Sequence, residues 1–254
     1  MTTKQELSRQ LRALGIRKGD VLLVHSAMKP LGPVEGDCAG VLDVLAGLLT
    51  GQGTLLLPAL TYTTVTREQP VFSVRESPSC VGRLSETFRL TPGVRRSVHP
   101  THSVCAAGRL AQELTGGHLH DRTPVGPRSP FRRLAECGGK ILMLGCGLTP
   151  NTFLHGVEEE AEVPYCLDPQ PVDYTCVLED GRRLTGRYTP HGFRGVIQRY
   201  DRAADLPGGN ILRRGKAGTG TADLFDAARL REAALSKMRE TPCFFVDFAD
   251  AEKN

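Results

Sequence analysis

The stretch VLLVHSAMKPLGPVEGDCAGVLDVLAGLLTGQGTLLLP, residues 21–58, decides the fold. It opens on the apolar run Val21, Leu22, Leu23 and Val24, which reads as a strand. After Gly36 and Asp37, the residues Val41, Leu42, Val44, Leu45, Leu48 and Leu49 make a strongly apolar helix. Residues 54–57 then read as a buried strand ended by Pro58. Strand, helix and strand in succession are α/β alternation.

Working outward, the pattern extends both ways. Upstream, Leu7, Leu11 and Leu14 recur at helical spacing and Gly15 stops them. Downstream, Ser129-Pro130 opens a short helix, Gly138-Gly139 closes it, and Ile141-Leu142-Met143-Leu144 forms a further buried strand. A glycine loop leads from it into a helix-forming stretch. Past Pro164 the character changes: 172–178 and 182–188 flank Glu179-Asp180-Gly181, the turn chemistry of a hairpin. Leu224, Ala227, Ala228, Leu230, Ala233 and Ala234 predict a long helix, and Cys243-Phe244-Phe245-Val246 a final strand. No repeat or linker divides the chain. The expected architecture is a single-domain layered α/β/α unit over 1–254, with a small antiparallel hairpin element in the C-terminal half.

Composition narrows the function. The chain has 254 residues, 40% hydrophobic and 24% charged, with no run of eighteen apolar residues. It reads as a soluble globular protein rather than a disordered or membrane one. Net charge is +4, without long Lys/Arg blocks or basic stripes interleaved with aromatics, which argues against a nucleic-acid partner. Lys4, Glu6 and Arg9 interrupt the first fourteen residues, so no secretory leader is read there and the cytoplasm is the expected location. The eight cysteines are scattered without a CxxC pair and are expected to be free thiols.

Standard fingerprints are absent. No GxSxG occurs, Pro150 stands where a dinucleotide loop begun by Gly145-Cys146-Gly147 needs its third glycine, and Asn210 stands where a P-loop ending at Gly215-Lys216 needs its first. Three segments remain. In 152–159, TFLHGVEE, helical spacing puts Glu158, Glu159 and Glu162 on the face of His155, grouping a base with anionic neighbours; a solvated acidic helix has the same pattern. In 95–104, Arg95, Arg96, Ser97 and Ser103 offer guanidinium and hydroxyl groups suited to a phosphate or an amide chain, or form a plain structural loop. His99 and His102, with His118 and His120, are disfavoured as a zinc set because Pro100 breaks a helical register and neither HExxH nor a cysteine at ligand spacing accompanies them; no metal is expected. In 24–32, His25 and Ser26 supply hydrogen bonds, and Gly32 allows close backbone approach to a ligand.

Taken together these segments resemble the aminoglycoside 3-N-acetyltransferase family, coenzyme-A-dependent antibiotic acetyltransferases. The resemblance runs in order through Val24-His25-Ser26 with Leu31-Gly32, Gly53-Thr54-Leu55 before Pro58, Arg96-Ser97-x-His99-Pro100-x-x-Ser103-Val104, Gly139-Lys140 with Leu144-Gly145, and Thr152-x-x-His155-x-x-Glu158. The loop 123–131 is similar to the family's Gly-x-x-Ser-Pro stretch, with Ser129 as its hydroxyl. Val157 departs from the alanine usual in aminoglycoside-specific members, so fold and cofactor transfer better than substrate.

The resemblance implies acetyl-coenzyme A as co-substrate, a small-molecule amine as acceptor, and His155 as general base for direct transfer. Under it, Glu158 or Glu159 orients the imidazole, and Thr152 or a backbone amide at the helix start supports the oxyanion. Arg96, Ser97 and Ser103 then engage the pyrophosphate or pantetheine arm, with His25, Ser26 and Gly32 across the groove. Glu159, Glu162 and Asp168 attract a polycation. The competing readings are a hydrolase that uses His155 and a carboxylate on an ester or thioester, and a noncatalytic coenzyme A binder. Oligomeric state is open, a homo-oligomer included.

Overall fold

A computed structural model of the protein describes residues 1–249; the last five residues of the expected domain lie outside the described ones. Helix α1 (Lys4–Leu14) is capped by the Thr3 side chain, which accepts from the Glu6 amide, and buries Leu7, Leu11 and Leu14. Strand β1 (Val21–Ser26), helix α2 (Asp37–Leu49) and strand β2 (Thr54–Pro58) follow as the sequence predicts. A short β3 (Val71–Ser73), α3 (Arg83–Arg89) and the two-residue β4 (Arg95–Arg96) lead to β5 (Val104–Gly108), α4 (Ala111–Gly116) and α5 (Pro130–Glu136). Strand β6 (Lys140–Leu144) then feeds α6 (Phe153–Glu160).

The main sheet has seven strands, completed by β10 (Leu212–Ala217) and β11 (Gly220–Asp226), in the order β10-β11-β6-β1-β2-β5-β4. Its centre, β6-β1-β2, is parallel, while β11 and β5 join antiparallel on either side. Side-chain alternation sorts the core. Leu23, Leu56, Ile141, Met143 and Phe225 face α4, α5, α6 and α7 (Ala227–Glu240), whereas Leu22, Val24, Leu55, Leu57, Leu142 and Leu144 face α1, α2 and α3. The result is the three-layer α/β/α domain. Beside it lies a three-stranded sheet in the order β3-β7-β8, where β7 (Val172–Val177) and β8 (Arg183–Tyr188) are the expected hairpin.

Two elements differ from the reading of the sequence. Leu224 belongs to β11, so the last long helix begins only at Ala227, capped by Asp226. The final strand, β12 (Val246–Phe248), starts where the apolar run ends; Cys243, Phe244 and Phe245 form a turn, and β12 pairs with β9 (Val196–Gln198). The cysteines are all free thiols. Among the described residues no helix is long and apolar enough to cross a membrane.

Candidate active site

The carboxyl ends of parallel strands β6, β1 and β2 point into one opening, the usual place for a site in an α/β sheet. There a cavity of about 600 Å³ is lined by His25 and Ser26 from the end of β1, Pro58 from β2, and Thr152 and His155 at the start of α6. The small sheet and its loops close the other side with Tyr62, Asp168, Tyr174, His191 and Phe193. Alternation explains His25: it follows Val21 and Leu23 on the face that α6 covers, opposite Met143 of β6.

At the centre stands His155. Its Nδ1 lies 2.6 Å from the hydroxyl of Tyr200, which in turn lies 2.5 Å from Oε2 of Glu158. Tyr165 donates its own hydroxyl to Oε1 of the same carboxylate at 3.0 Å. Burial, and after it the charge of Glu158, push the Tyr200 phenol well above its ordinary pKa, so it keeps its proton. That single proton goes to the carboxylate, so the phenol oxygen is left to accept the Nδ1–H of His155. The arrangement fixes the tautomer with Nε2 bare. Direct contact between His155 and Glu158 is 3.6 Å, beyond hydrogen-bond reach, and the amide of Gln198 stands at a long 3.4 Å from Nδ1.

The neighbours are also imidazoles. Ring nitrogens of His102, His155 and His191 lie within 4.8 Å of one another. Burial pushes the pKa values of His102 and His191 well below the ordinary value, and nearby histidines lower them further, so these rings are neutral. His102 Nδ1 is 2.9 Å from the Thr101 hydroxyl, and His191 Nε2 donates to Glu159 at 2.7 Å, which leaves His191 Nδ1 buried without a hydrogen-bond partner among the described residues. His25 Nε2 is likewise buried and unpartnered among the described residues, and its pKa is lowered to about 3 by burial first and His155 second.

The carboxylates divide differently from the sequence expectation. Glu158 is fully buried and reaches His155 only through Tyr200. Glu159 accepts from the Val125 amide at 2.7 Å and holds His191, so it orients a second ring rather than facing a ligand; burial pushes its pKa up. Glu162 leaves the face of His155 altogether, because α6 ends at Glu160 and Glu162 sits in left-handed backbone at φ 53°, exposed. Asp168 does line the cavity, paired with Arg194 at 2.8 Å.

The arginine loop is corrected too. Arg96 is buried and its guanidinium is consumed internally: Nε donates to Ser103 Oγ at 2.9 Å, Nη1 to the carbonyls of Val74 and Ser77, and Nη2 to that of Ala59. Ser103 donates to the Ala59 carbonyl, while Ser97 Oγ meets His118 Nδ1 at 2.9 Å and accepts from the Val104 amide. None of these lines the cavity. The loop is a brace between β4, β5 and the segments before them. Gly32 is likewise structural, since at φ 69° a Cβ there would come within 2.6 Å of Thr219 Oγ1. Ser129 caps α5. His99 stacks on His118 at 4.8 Å between centroids and lies 6.3 Å from the ring of His102, while His120 is exposed, so three of the histidines considered in the sequence pack together and the fourth stands apart.

Tyr200, His191, His102 and Gln198 are the site residues that sequence reasoning missed or placed elsewhere. Tyr200 and His191 lie beyond Tyr165 in regions without a recognisable local pattern, and only folding brings them to α6.

Comparison with known proteins bears on this geometry. Residues 23–239 match the family model described as aminoglycoside 3-N-acetyltransferase. The aminoglycoside N(3)-acetyltransferase VII of Streptomyces paromomycinus is 32% identical over 270 aligned positions, covering 94% of this chain and 92% of the relative. A crystal structure of aminoglycoside acetyltransferase AAC(3)-IVa, a histidine-to-alanine mutant in complex with gentamicin, superposes with a TM-score of 0.82 at 31% identity, covering 96% of this chain and 91% of that one. AAC-IIIb, solved as a binary complex with CoASH, gives a TM-score of 0.79 at 26% identity over 94% and 97% of the two chains.

Proposed function

Because the chain belongs to the aminoglycoside 3-N-acetyltransferase family and is an acyltransferase, we propose that it moves the acetyl group of acetyl-coenzyme A directly onto an amine of an aminoglycoside or related amino compound, with His155 as general base. The observation that carries this reading is the chain from His155 Nδ1 through the Tyr200 hydroxyl to Glu158, which leaves Nε2 as the proton acceptor of a ring that lines the cavity.

A thioester is already activated, so the protein has to bring an amine to the carbonyl and take its proton. As the amine nitrogen attacks, its proton passes to Nε2 of His155. The imidazolium so formed is stabilised through Tyr200 by the buried Glu158 carboxylate. Thr152 makes no capping hydrogen bond with its side chain, so its hydroxyl, together with amides at the start of α6, is available to the tetrahedral oxyanion. The carbon–sulfur bond then breaks, the thiolate takes up a proton, and free coenzyme A leaves with the N-acetylated product. His25 and Ser26, at the end of β1, are the groups that line the coenzyme side of the cavity in this reading. Arg96, Ser97 and Ser103 take no part, since their polar atoms are engaged inside the fold.

The test is a free-thiol release assay with acetyl-coenzyme A against a panel of aminoglycosides, polyamines and amino sugars. Thiol release that requires an amine and yields the N-acetyl product is the expected result. Release at the same rate without any amine would identify a thioester hydrolase, and binding of coenzyme A with no turnover would identify a binding protein.

A further inference from the structure

The cavity has one anion of its own. Among the described residues Asp168 is the one carboxylate lining it, since Glu158 is turned to tyrosines, Glu159 to His191, and Glu160 to Arg132 and Arg231. Its amide donates to the Pro190 carbonyl at 2.8 Å, and the preceding Leu167 pairs with His191, whose ring centroid lies 4.9 Å from that of His155. Asp168 thus borders the segment that packs on His155, and both residues line the cavity. The carboxylate is fixed while its ionic partner is not. Oδ1 accepts from the Gln170 amide at 2.9 Å and Oδ2 from Arg194 Nη2 at 2.8 Å, yet the Asp168 side chain is 8% exposed and that of Arg194 73%. Among the described residues the Arg194 guanidinium makes no other hydrogen bond. One N–H on an otherwise solvated side chain covers the anion, a contact of little strength. The backbone beneath it is held: Phe193 packs with its ring 4.9 Å from those of His155 and His191, and its amide donates to the Tyr165 carbonyl at 3.0 Å. Rotation of the arginine side chain alone therefore uncovers Asp168.

A polyammonium acceptor needs its non-reacting cations met as well as its reacting amine. An ammonium that entered the cavity without a partner would lose hydration uncompensated, and Asp168 is the group that can meet it. We propose that Arg194 is an intramolecular stand-in for that ammonium: it occupies Asp168 while no acceptor is bound, and a second ammonium of the acceptor displaces it while the reacting amine faces His155. The inference rests on the acetyl-transfer reading and deepens it, naming a subsite and the residue that competes for it. Arg194 acts on acceptor affinity and takes no part in the chemistry. Arg67, the other guanidinium at the cavity wall, is tied to the carbonyls of Gln170 and Pro171 and stays in place.

The experiment measures thiol release by the whole protein with acetyl-coenzyme A and gentamicin or sisomicin, comparing the unaltered chain with Arg194→Ala, Arg194→Lys, Asp168→Asn and the double variant Asp168→Asn with Arg194→Ala. Loss of a weak competing ion pair is expected to lower the acceptor KM of Arg194→Ala by about two- to fivefold, with kcat and the KM for acetyl-coenzyme A within about twofold. Arg194→Lys keeps a competing cation and is expected to restore the KM. Asp168→Asn is expected to raise the acceptor KM by about tenfold or more, as when a charge-assisted hydrogen bond is lost. In that background the further change Arg194→Ala is expected to move the KM by less than about 1.5-fold, because nothing is left to compete for. An acceptor KM unchanged or raised in Arg194→Ala would overturn the inference and leave acetyl transfer standing, as would a folded Asp168→Asn whose KM is unaltered. A markedly raised KM for acetyl-coenzyme A in Arg194→Ala would assign the arginine to the coenzyme and also overturn it. Where Asp168→Asn does not fold, Arg194→Ala, a change at an exposed side chain, decides alone. No thiol release with either aminoglycoside would overturn the inference, and none with any amine would overturn the acetyl-transfer reading with it.

Discussion

A phenol has one proton to donate, and Tyr200 stands between an imidazole and a carboxylate that both need it placed. The hydroxyl donates to Glu158 and accepts from His155, so a carboxylate with no direct contact to the imidazole still fixes its tautomer. Tyr200→Phe keeps the packing against Phe245 and removes only this link. The expected outcome is a kcat lower by about 10- to 100-fold, as when a group orienting a catalytic imidazole is lost, with the acceptor KM little changed. Steady-state kinetics on the folded variant check it; an unchanged kcat would show that Tyr200 merely packs. The histidine-glutamate half of this arrangement was legible in the sequence because three residues on a helix make a local pattern. Its tyrosine was not, being 45 residues away from His155 along the chain.

At the scale of elements, the buried guanidinium of Arg96 ties β4 and β5 to the carbonyls of Ala59, Val74 and Ser77 and packs 4.8 Å over the ring of Phe72. Burial lowers its pKa to about 10, still far above neutral, so it remains charged. Arg96→Ala would leave buried acceptors without donors and is expected to cost about 2–5 kcal/mol of stability, with coenzyme A affinity unaltered in whatever fraction stays folded. Urea denaturation and coenzyme A titration check the two halves; a stable variant with weakened coenzyme binding would reverse the assignment. In sequence this arginine looks the same whether it braces a fold or binds a phosphate, because the deciding carbonyls lie 19 to 37 residues away. Strands β1, β2 and β6 and the first helices were readable from apolar runs and their stops. The β10–β11 hairpin was not, since Arg213, Arg214 and Lys216 give the edge strand β10 a polar pattern, and Leu224 fits a helix repeat equally well.

The whole molecule holds an unusual store of neutral histidine. Burial lowers the pKa values of His25, His99, His102, His118 and His191 below the ordinary 6.5. The unfolded chain therefore binds more protons at these positions than the folded one, so their contribution is present above pH 6.5 and is lost as pH falls toward the folded values, about 3 for His25 and His118. Asp121, raised to about 6 by burial, and Glu159, also raised, act in the opposite sense but are fewer. The urea midpoint is accordingly expected to fall steadily between pH 6.5 and 5, and a flat profile would contradict neutral buried rings. The same assembly of distant loops around α6 sets the ring of His155 against the Tyr200 hydroxyl at the cavity, the position from which the proposed mechanism has it act as base. The most direct measurement is amine-dependent thiol release by His155→Ala, with coenzyme A affinity determined on the same folded sample. Turnover is expected to drop by about 10²- to 10⁴-fold while coenzyme A binds normally; near-normal acetyl transfer by that variant would contradict His155 as the base.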